Sequence, residues 1–344
     1  MNSISPELNP VLVNVMRRGK VESCHRGSAI VLDSEGKTVF SIGQADRMIY
    51  PRSSIKLFQA IPLVESGAAD QFALDNREIA LACASHNAES FHTQTVTNWL
   101  AKLGLDADAL ECGASRPLSD EVFWTLSARA EVPSRVHQNC SGKHSGMLTL
   151  ARFMGVETKG YSEYQHPTQA AWMKVFGELT GLDAFSLHWE RDGCGLPAIF
   201  MPMDKLALAF SRYANIDHVG GGRAAAMTRI LEAVRQHPEM VAGTGRCCTA
   251  VIKYSAGSAV VKTGAEGVYG GCVPDQGLGF ALKVDDGAAR GSEVMLGALL
   301  DKLDAIDTDM ASQLAQWFQP EIKNSQGNVT GQVVPSTAWH SQSG

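Results

Sequence analysis

Strand-like segments at both ends of the chain enclose a long helical middle, and this order constrains the fold more than any other feature. Residues 27–43 contain two β-rich runs around the turn signal 33–36, and β-rich runs return over residues 248–272 and 277–286. Between about residues 68 and 240, apolar residues recur at helical spacing with glycine or proline stops. Residues 290–306 predict a closing helix.

Strands from the two ends of a chain most economically join one sheet, so the pattern predicts an α+β fold. We expect a single domain over residues 1–344. Its antiparallel sheet lobe should comprise about residues 1–67 and 241–344, and a largely helical lobe about residues 68–240.

Charge and composition narrow the class of partner. The chain of 344 residues carries a net charge of -6, and its longest basic run is residues 17–18. This balance does not indicate a nucleic-acid or anionic membrane surface, so we expect a small-molecule partner. The sequence has no basic segment followed by a long apolar stretch near its start, which predicts a cytoplasmic protein whose eight cysteines are reduced.

A serine pair precedes a lysine at the start of a predicted helix over residues 54–67. Residues three apart share a helical face, whereas residues two apart do not, so Lys56 should face Ser53 and not Ser54. The alternative is that Ser53 caps the helix and Lys56 is a solvated surface charge.

A second lysine, in the sequence Lys262-Thr263-Gly264, matches a motif that accompanies Ser-x-x-Lys in penicillin-binding proteins and serine β-lactamases. The glycine would let substrate approach the strand, and a surface lysine in a hairpin is the alternative. The third motif of those proteins, Ser-Asp-Asn, is absent because Glu121 follows Ser119-Asp120.

A second serine, Ser85, stands among small residues beside His86, which predicts a tight turn after a buried segment. The alternative is that Ser85 only caps the end of a buried helix or strand.

Residues 139–147 contain Gly-Lys but do not form a phosphate-binding loop, since His137 and His144 occupy positions where that motif requires glycine and Ser or Thr. Thiols at Cys140 and Cys194, with a nitrogen from Lys143 or His144, would suit Zn²⁺. The alternative is a pair of inert buried cysteines.

Taken together, these motifs closely resemble the L-asparaginase II family, the zinc-binding asparaginases with a fold similar to serine β-lactamases, penicillin-binding proteins and glutaminases. The resemblance spans about residues 10–335. It implies hydrolysis of L-asparagine to L-aspartate and ammonia by a homodimer. The residues that it implicates are the catalytic serines Ser53 and Ser85, their partners Lys56 and Lys262, the zinc ligands Cys140, Lys143 and Cys194, and Arg52 and Asp192 as supports. Beside these, His144 is a further residue near the metal site, and Arg52, His86 and Arg246 are candidate contacts for the substrate.

Amide hydrolysis needs a base for the attack and an acid for the departing amine, so we expect Ser85 and Lys262 to form a second pair joined to Ser53 and Lys56. The chain departs from the family pattern at Ser115, where a histidine is expected, and at Leu57, where a proline is usual. Two other functions stay open: hydrolysis of glutamine or another small amide, and a noncatalytic zinc-binding module.

Overall fold

The computed structural model describes residues 9–340 and places strands near both ends of that range. The strands are β1 (Val11–Arg17), β2 (Lys20–Leu32), β3 (Thr38–Ile42), β4 (Met48–Ile49), β5 (Trp189–Arg191), β6 (Pro197–Ile199), β7 (Met201–Pro202), β8 (Val260–Gly264), β9 (Val268–Val273), β10 (Leu278–Val284), β11 (Glu321–Lys323) and β12 (Val329–Pro335).

Most helices lie between β4 and β8 in the chain. The helices are α1 (Lys56–Gln59), α2 (Ile61–Glu65), α3 (Ala68–Gln71), α4 (Asn76–Ala82), α5 (Ser90–Lys102), α6 (Asp120–Ala128), α7 (Ser141–Met154), α8 (Pro167–Thr180), α9 (Met203–Ala214), α10 (Gly221–Gln236), α11 (Pro238–Val241), α12 (Cys247–Tyr254), α13 (Ala289–Lys302) and α14 (Thr308–Phe318).

The chain divides into two compact units. Within the described residues, the sheet unit comprises 9–54, 201–215 and 250–340, and the helical unit comprises 55–200 and 216–249. Helix α9 belongs to the sheet unit because its apolar face packs on β2, β9 and β10.

The sheet unit contains an eight-stranded sheet in the order β11-β12-β1-β2-β10-β9-β8, with β3 paired to β2. All of its neighbouring strands are antiparallel. In register, Val13 lies opposite Pro335 and Leu32 opposite Gly279, so the early strands β1 and β2 lie between strands from the C-terminal part of the chain. This arrangement confirms the predicted α+β fold with an antiparallel sheet from N- and C-terminal strands and a largely helical middle.

The helical unit is built around the packing of α4, α7 and α10. Gly142 lies near the start of α7, where a Cβ atom would come within 2.3 Å of the Leu81 carbonyl oxygen near the end of α4. Because glycine permits this close approach, the first turn of α7 packs directly against the residues where α4 ends. That contact places the functional segments after Ala82 and before Ser141 side by side.

The helix expected over residues 54–67 is present but interrupted. A short 3₁₀ turn, Arg52–Ile55, leads into α1, and α2 begins only after Ala60. Pro62 lacks the N–H group that would continue the hydrogen bonding of α1, which explains the break. Gly67, at φ 86°, lies just beyond α2, where the stop was expected.

Among residues 9–340, none of the helices combines the length and apolar character that a membrane crossing would require.

Candidate active site

Lys56, the first residue of α1, is fully buried in the helical unit. Its Nζ atom lies 3.0 Å from the Ser85 hydroxyl and 3.0 Å from the Cys140 sulfur, and it also donates to the carbonyl oxygen of Ala84. A buried lysine without such partners would be costly. The structure therefore excludes the reading of Lys56 as a solvated surface charge and brings its amine to the second serine.

Ser85 lies in an irregular segment just after α4 and is held there by backbone hydrogen bonds on two sides. Its N–H donates to the Val241 carbonyl at 2.9 Å, and the N–H of His86 donates to the Asn139 carbonyl at 3.1 Å. The backbone at Ser85 is thus held by two chain segments that follow it by many residues.

His86 is fully buried, and both of its ring nitrogens are used inside the protein. Nδ1 accepts from the N–H of Ala88 at 3.1 Å, so Nε2 carries the proton and donates to the Ser141 hydroxyl at 2.9 Å. Burial, followed by the neighbouring His92 and Lys56, holds the pKa of His86 well below its usual value. This neutral histidine orients the Ser85 segment, and the geometry favours that role over the predicted contact with substrate.

The turn that carries Ser53 belongs to the sheet unit and explains why two serines occur together. Ser54 is fully buried, and its hydroxyl donates to the Pro51 carbonyl at 2.7 Å while its N–H donates to the same oxygen at 3.1 Å. Arg52, which lies between Pro51 and Ser54 in the chain, adopts φ 53°, an uncommon conformation for a residue with a side chain. Ser54 therefore fastens the turn, which leaves Ser53 as the candidate nucleophile.

Lys262 lies on β8, at one edge of the sheet, and is fully buried. Its Nζ atom donates to the Thr263 carbonyl at 3.0 Å. Residues two apart on a strand face the same side, so the side chain of Lys262 shares its face with position 264. A Cβ atom on Gly264 would lie 2.4 Å from the Pro51 carbonyl oxygen and 3.4 Å from the Ser54 nitrogen. The space beside this glycine, which the sequence assigned to substrate, is thus filled by the turn that carries Ser53.

The two proposed zinc-binding thiols lie near a lysine in the helical unit. Cys140 precedes α7, Lys143 lies in its first turn, and Cys194 follows β5. The Nζ atom of Lys143 lies 3.1 Å from the Cys194 sulfur. A hydrogen bond from Cys140, together with the Lys143 ammonium, lowers the pKa of Cys194 against the opposing effect of burial. Burial lowers the pKa of Lys143, but the two sulfurs raise it more, so the amine would have to lose its proton before it could bind a metal ion.

These donors fit a zinc ion, because two sulfurs and a nitrogen are ligands that Zn²⁺ prefers. Within residues 9–340, no three His, Cys, Asp or Glu side chains converge to hold a metal. A metal at Cys140 and Cys194 would therefore need the nitrogen of Lys143, in agreement with the ligand set that the family resemblance implies.

Asp192 and His144 flank this cluster in different ways. Asp192 accepts from the N–H of Gly193 at 2.7 Å, and its negative charge contributes to raising the pKa of Lys143. His144 is buried, and its Nδ1 atom lies 2.6 Å from the Tyr161 hydroxyl. Burial and the nearby Lys143 lower the pKa of His144 to about 3.

A supporting network behind His144 is absent from the sequence-based expectations. The N–H of Glu111 donates to the Tyr161 hydroxyl at 2.8 Å, and the same hydroxyl is hydrogen-bonded to Nδ1 of His144. The Nε2 atom of His144 is buried with no hydrogen-bond partner in the described chain. The carboxylate of Glu111 accepts from the N–H groups of Gly160 and Ser162, at 2.5 and 3.0 Å. No motif links residues 111 and 161, so sequence alone gave no signal.

Three further residues singled out in the sequence make no contact with the thiol–amine cluster among the hydrogen bonds described here. The hydroxyl of Ser119 accepts from the N–H of Val122 at 3.3 Å and caps α6. Ser115, where a histidine was expected, is exposed. Arg246, a candidate substrate contact, donates from Nη1 to the Asn87 side chain at 2.9 Å.

The fold and the site define an α+β protein that combines a buried lysine–serine pair with a thiol–amine cluster. A family model of L-asparaginase II matches residues 13–335. The chain belongs to the L-asparaginase II family, as its motifs indicated.

No curated protein matches the chain significantly. Among solved structures, Mglu in its tris and glutamate form matches with 14% identity and a TM-score of 0.47, over 88% of this chain and 65% of that one. The chain thus spans about 65% of the length of that relative. A β-lactamase from Mycobacterium bovis matches with 14% identity and a TM-score of 0.40, over 80% of this chain and 94% of that one. Structural similarity with TM-scores below 0.5 carries no argument about the function of this chain.

Proposed function

We propose that this chain hydrolyses the side-chain amide of L-asparagine to L-aspartate and ammonia. Membership of the L-asparaginase II family supports amide hydrolysis. The observation that carries the proposal is the buried amine of Lys56, which lies within hydrogen-bond distance of the Ser85 hydroxyl. Amide hydrolysis needs a base for the attacking hydroxyl and an acid for the departing nitrogen, and an amine beside a second hydroxyl can pass a proton from one to the other.

In the proposed reaction, Ser53 attacks the amide carbon and Lys56, three residues later in the chain, takes its proton as a neutral amine. The C–N bond then breaks, the departing nitrogen receives that proton through Ser85, and a β-aspartyl ester remains on Ser53. Water hydrolyses the ester, which releases L-aspartate and restores the serine. Lys262 supplies positive charge near Ser53, where negative charge develops on the substrate oxygen.

We also propose that Cys140, Lys143 and Cys194 hold a zinc ion. A bound zinc would supply a fixed positive charge and Lewis acidity. The chain's own contribution is to hold the Cys140 sulfur 3.0 Å from Nζ of Lys56. Cys140 thus belongs both to the proposed zinc ligands and to the surroundings of the lysine–serine pair. Arg52 and Arg246 are the candidate contacts for the charged end of the substrate.

The test is ammonia release from L-asparagine, L-glutamine and D-asparagine by the purified protein, with a chromogenic β-lactam in parallel. We expect turnover of L-asparagine above the other amides, no β-lactam hydrolysis, and loss of activity in Ser53→Ala. Because asparagine and glutamine differ by one methylene, discrimination by binding alone is worth about 1 to 3 kcal/mol. Absence of ammonia release from every amide would reject the proposal. The resemblance further predicts a homodimer, which light scattering measures.

A further inference from the structure

The side chain of Asn87 joins two segments of the helical unit close to Ser85. Its Oδ1 atom accepts from Nη1 of Arg246 at 2.9 Å, and its Nδ2 atom donates to the Thr244 carbonyl at 3.0 Å. Two residues earlier, the N–H of Ser85 donates to the Val241 carbonyl. The segments 85–87 and 241–246 are therefore joined at Ser85 and at Asn87. The oxygen and the nitrogen of the buried Asn87 amide are both hydrogen-bonded.

Arg246 is half-buried, and its side-chain partner is a neutral amide. Among residues 9–340, no carboxylate forms an ion pair with it. The carboxylate held on the same loop, Glu89, accepts from the N–H of Thr244 at 2.9 Å and lies 3.8 Å from His92. A guanidinium has five N–H donors, and the Asn87 amide oxygen accepts from one nitrogen of Arg246. Most of the donors of Arg246 are thus available to an anion.

From this arrangement, and resting on the proposed function, we infer that Asn87 is a positioning residue that holds Arg246 to receive the α-carboxylate of the substrate. Residues 84–89 form neither helix nor strand, and Ser85 and Asn87 lie two residues apart on this segment. Ser85 is the serine whose hydroxyl lies 3.0 Å from the amine of Lys56, so Asn87 holds Arg246 on the same segment as that pair.

A guanidinium held in place by Asn87 can bind a carboxylate through two parallel hydrogen bonds without first losing side-chain freedom. The substrate class that follows is the free α-amino acid amide, because an amide without the α-carboxylate would leave Arg246 unpaired. Asn87 would thus contribute to specificity through Arg246, without touching the reacting atoms.

The test is calorimetric binding of two probes, L-aspartate and β-alanine, which lacks the α-carboxylate. The proteins are wild type, Asn87→Ala, Asn87→Asp, Arg246→Ala and the control Asn215→Ala. Asn215 also bridges two segments, donating to the carbonyls of Ser211 and Gly277 at 2.8 and 2.7 Å, but it holds no arginine. Asn87→Asp keeps an oxygen facing Arg246 while giving it an internal anion, so the hydrogen bond survives and the carboxylate site is neutralised.

We expect wild type to bind L-aspartate more tightly than β-alanine, and Asn87→Ala to weaken L-aspartate about 10- to 100-fold. Asn87→Asp and Arg246→Ala should weaken L-aspartate at least as much, while β-alanine and the control change less than about twofold. Unchanged L-aspartate affinity in Asn87→Ala, an equal loss for both probes, or an equal loss in the control would overturn the inference.

The same proteins are assayed for ammonia release, which separates this inference from the proposed function. Intact L-aspartate binding with the expected losses, but no turnover of L-asparagine, would leave the carboxylate site standing and remove the proposed reaction. Turnover of L-asparagine with unaltered L-aspartate affinity in Asn87→Ala would do the reverse.

Discussion

Replacing Gly264 by alanine should disturb the turn that carries Ser53. The new Cβ atom would lie 2.4 Å from the Pro51 carbonyl oxygen, where real contacts stay at or above 3.0 Å. The turn must therefore retreat by at least about 0.6 Å, the difference between these two distances. The Cβ atom of Val268 at 3.3 Å and the Ser54 nitrogen at 3.4 Å leave little room on the other sides.

The expected costs follow from that displacement. Overpacking of a close contact destabilises a protein by about 1 to 3 kcal/mol. The turn also holds Arg52 at φ 53°, a conformation that costs about 1 kcal/mol and persists only while its surroundings fix it. A displacement of 1 Å at a reacting group can lower the rate about 100-fold, so a shift of about 0.6 Å should lower kcat/KM about tenfold or more.

Ammonia release from L-asparagine and urea-induced unfolding measure these two effects. Gly222→Ala is the matched control, because no atom lies within 4 Å of its added Cβ and the residue is in α10. The control should keep full activity and gain up to about 1 kcal/mol of stability from helix propensity. Full kcat/KM in Gly264→Ala would refute the argument that this glycine sets the position of the Ser53 turn.

Three further outcomes are expected. Ser53→Ala should lower asparagine hydrolysis by about three orders of magnitude or more. Ser54→Ala should cost about 0.5 to 1.5 kcal/mol of stability through the lost hydrogen bond and reduce activity far less, and comparable rate losses would contradict the roles assigned to the two serines. Metal analysis should find about one zinc per chain in wild type and little in Cys140→Ser or Cys194→Ser, and full occupancy in either variant would remove that thiol from the ligands. Burial lowers the pKa of His92 from 6.5 to about 4, so the unfolded state binds more protons between these pH values. The free energy of unfolding should therefore fall by about 3 kcal/mol as pH drops from 6.5 to 4. His92→Gln should flatten that part of the stability curve, and an unchanged slope would mean that other groups cause the pH dependence.

Much of the fold could be predicted from sequence because its signals are local. The turn at residues 33–36 and the helix over residues 290–306 follow from residue types within a short window, and β2, β3 and α13 confirm them. The strands β1, β11 and β12 were missed, although β1 pairs with its chain neighbour β2 and β11 with its chain neighbour β12. The β-rich run expected from residue 248 is wrong at its start, because Cys247–Tyr254 form α12. The helix expected to close the chain, α13, is followed by α14 and two strands.

In the candidate site, too, some features follow from local spacing and others depend on contacts between distant parts of the chain. Spacing alone favoured Ser53 over Ser54, and the buried hydroxyl of Ser54 agrees with that choice. The contact between Lys56 and Ser85 depends on how α1 meets the end of α4, which no residue spacing contains. Asn87 is an ordinary loop residue in the sequence, and its role depends on Arg246, far away in the chain.

The position of the early strands β1 and β2 between late strands has a consequence for folding during synthesis. Val13 pairs with Pro335, so β1 emerges 335 - 13 = 322 residues before its partner in β12. At about 5 to 20 residues per second, the ribosome needs about 16 to 64 s to make that stretch. During this time β1 and β2 can pair with each other, but each has an unpaired edge that another chain could occupy. Late pairing of distant strands also slows folding. The nascent chain is therefore most exposed to misassembly just before its last strands are made, when chaperone binding to its early strands would be most useful.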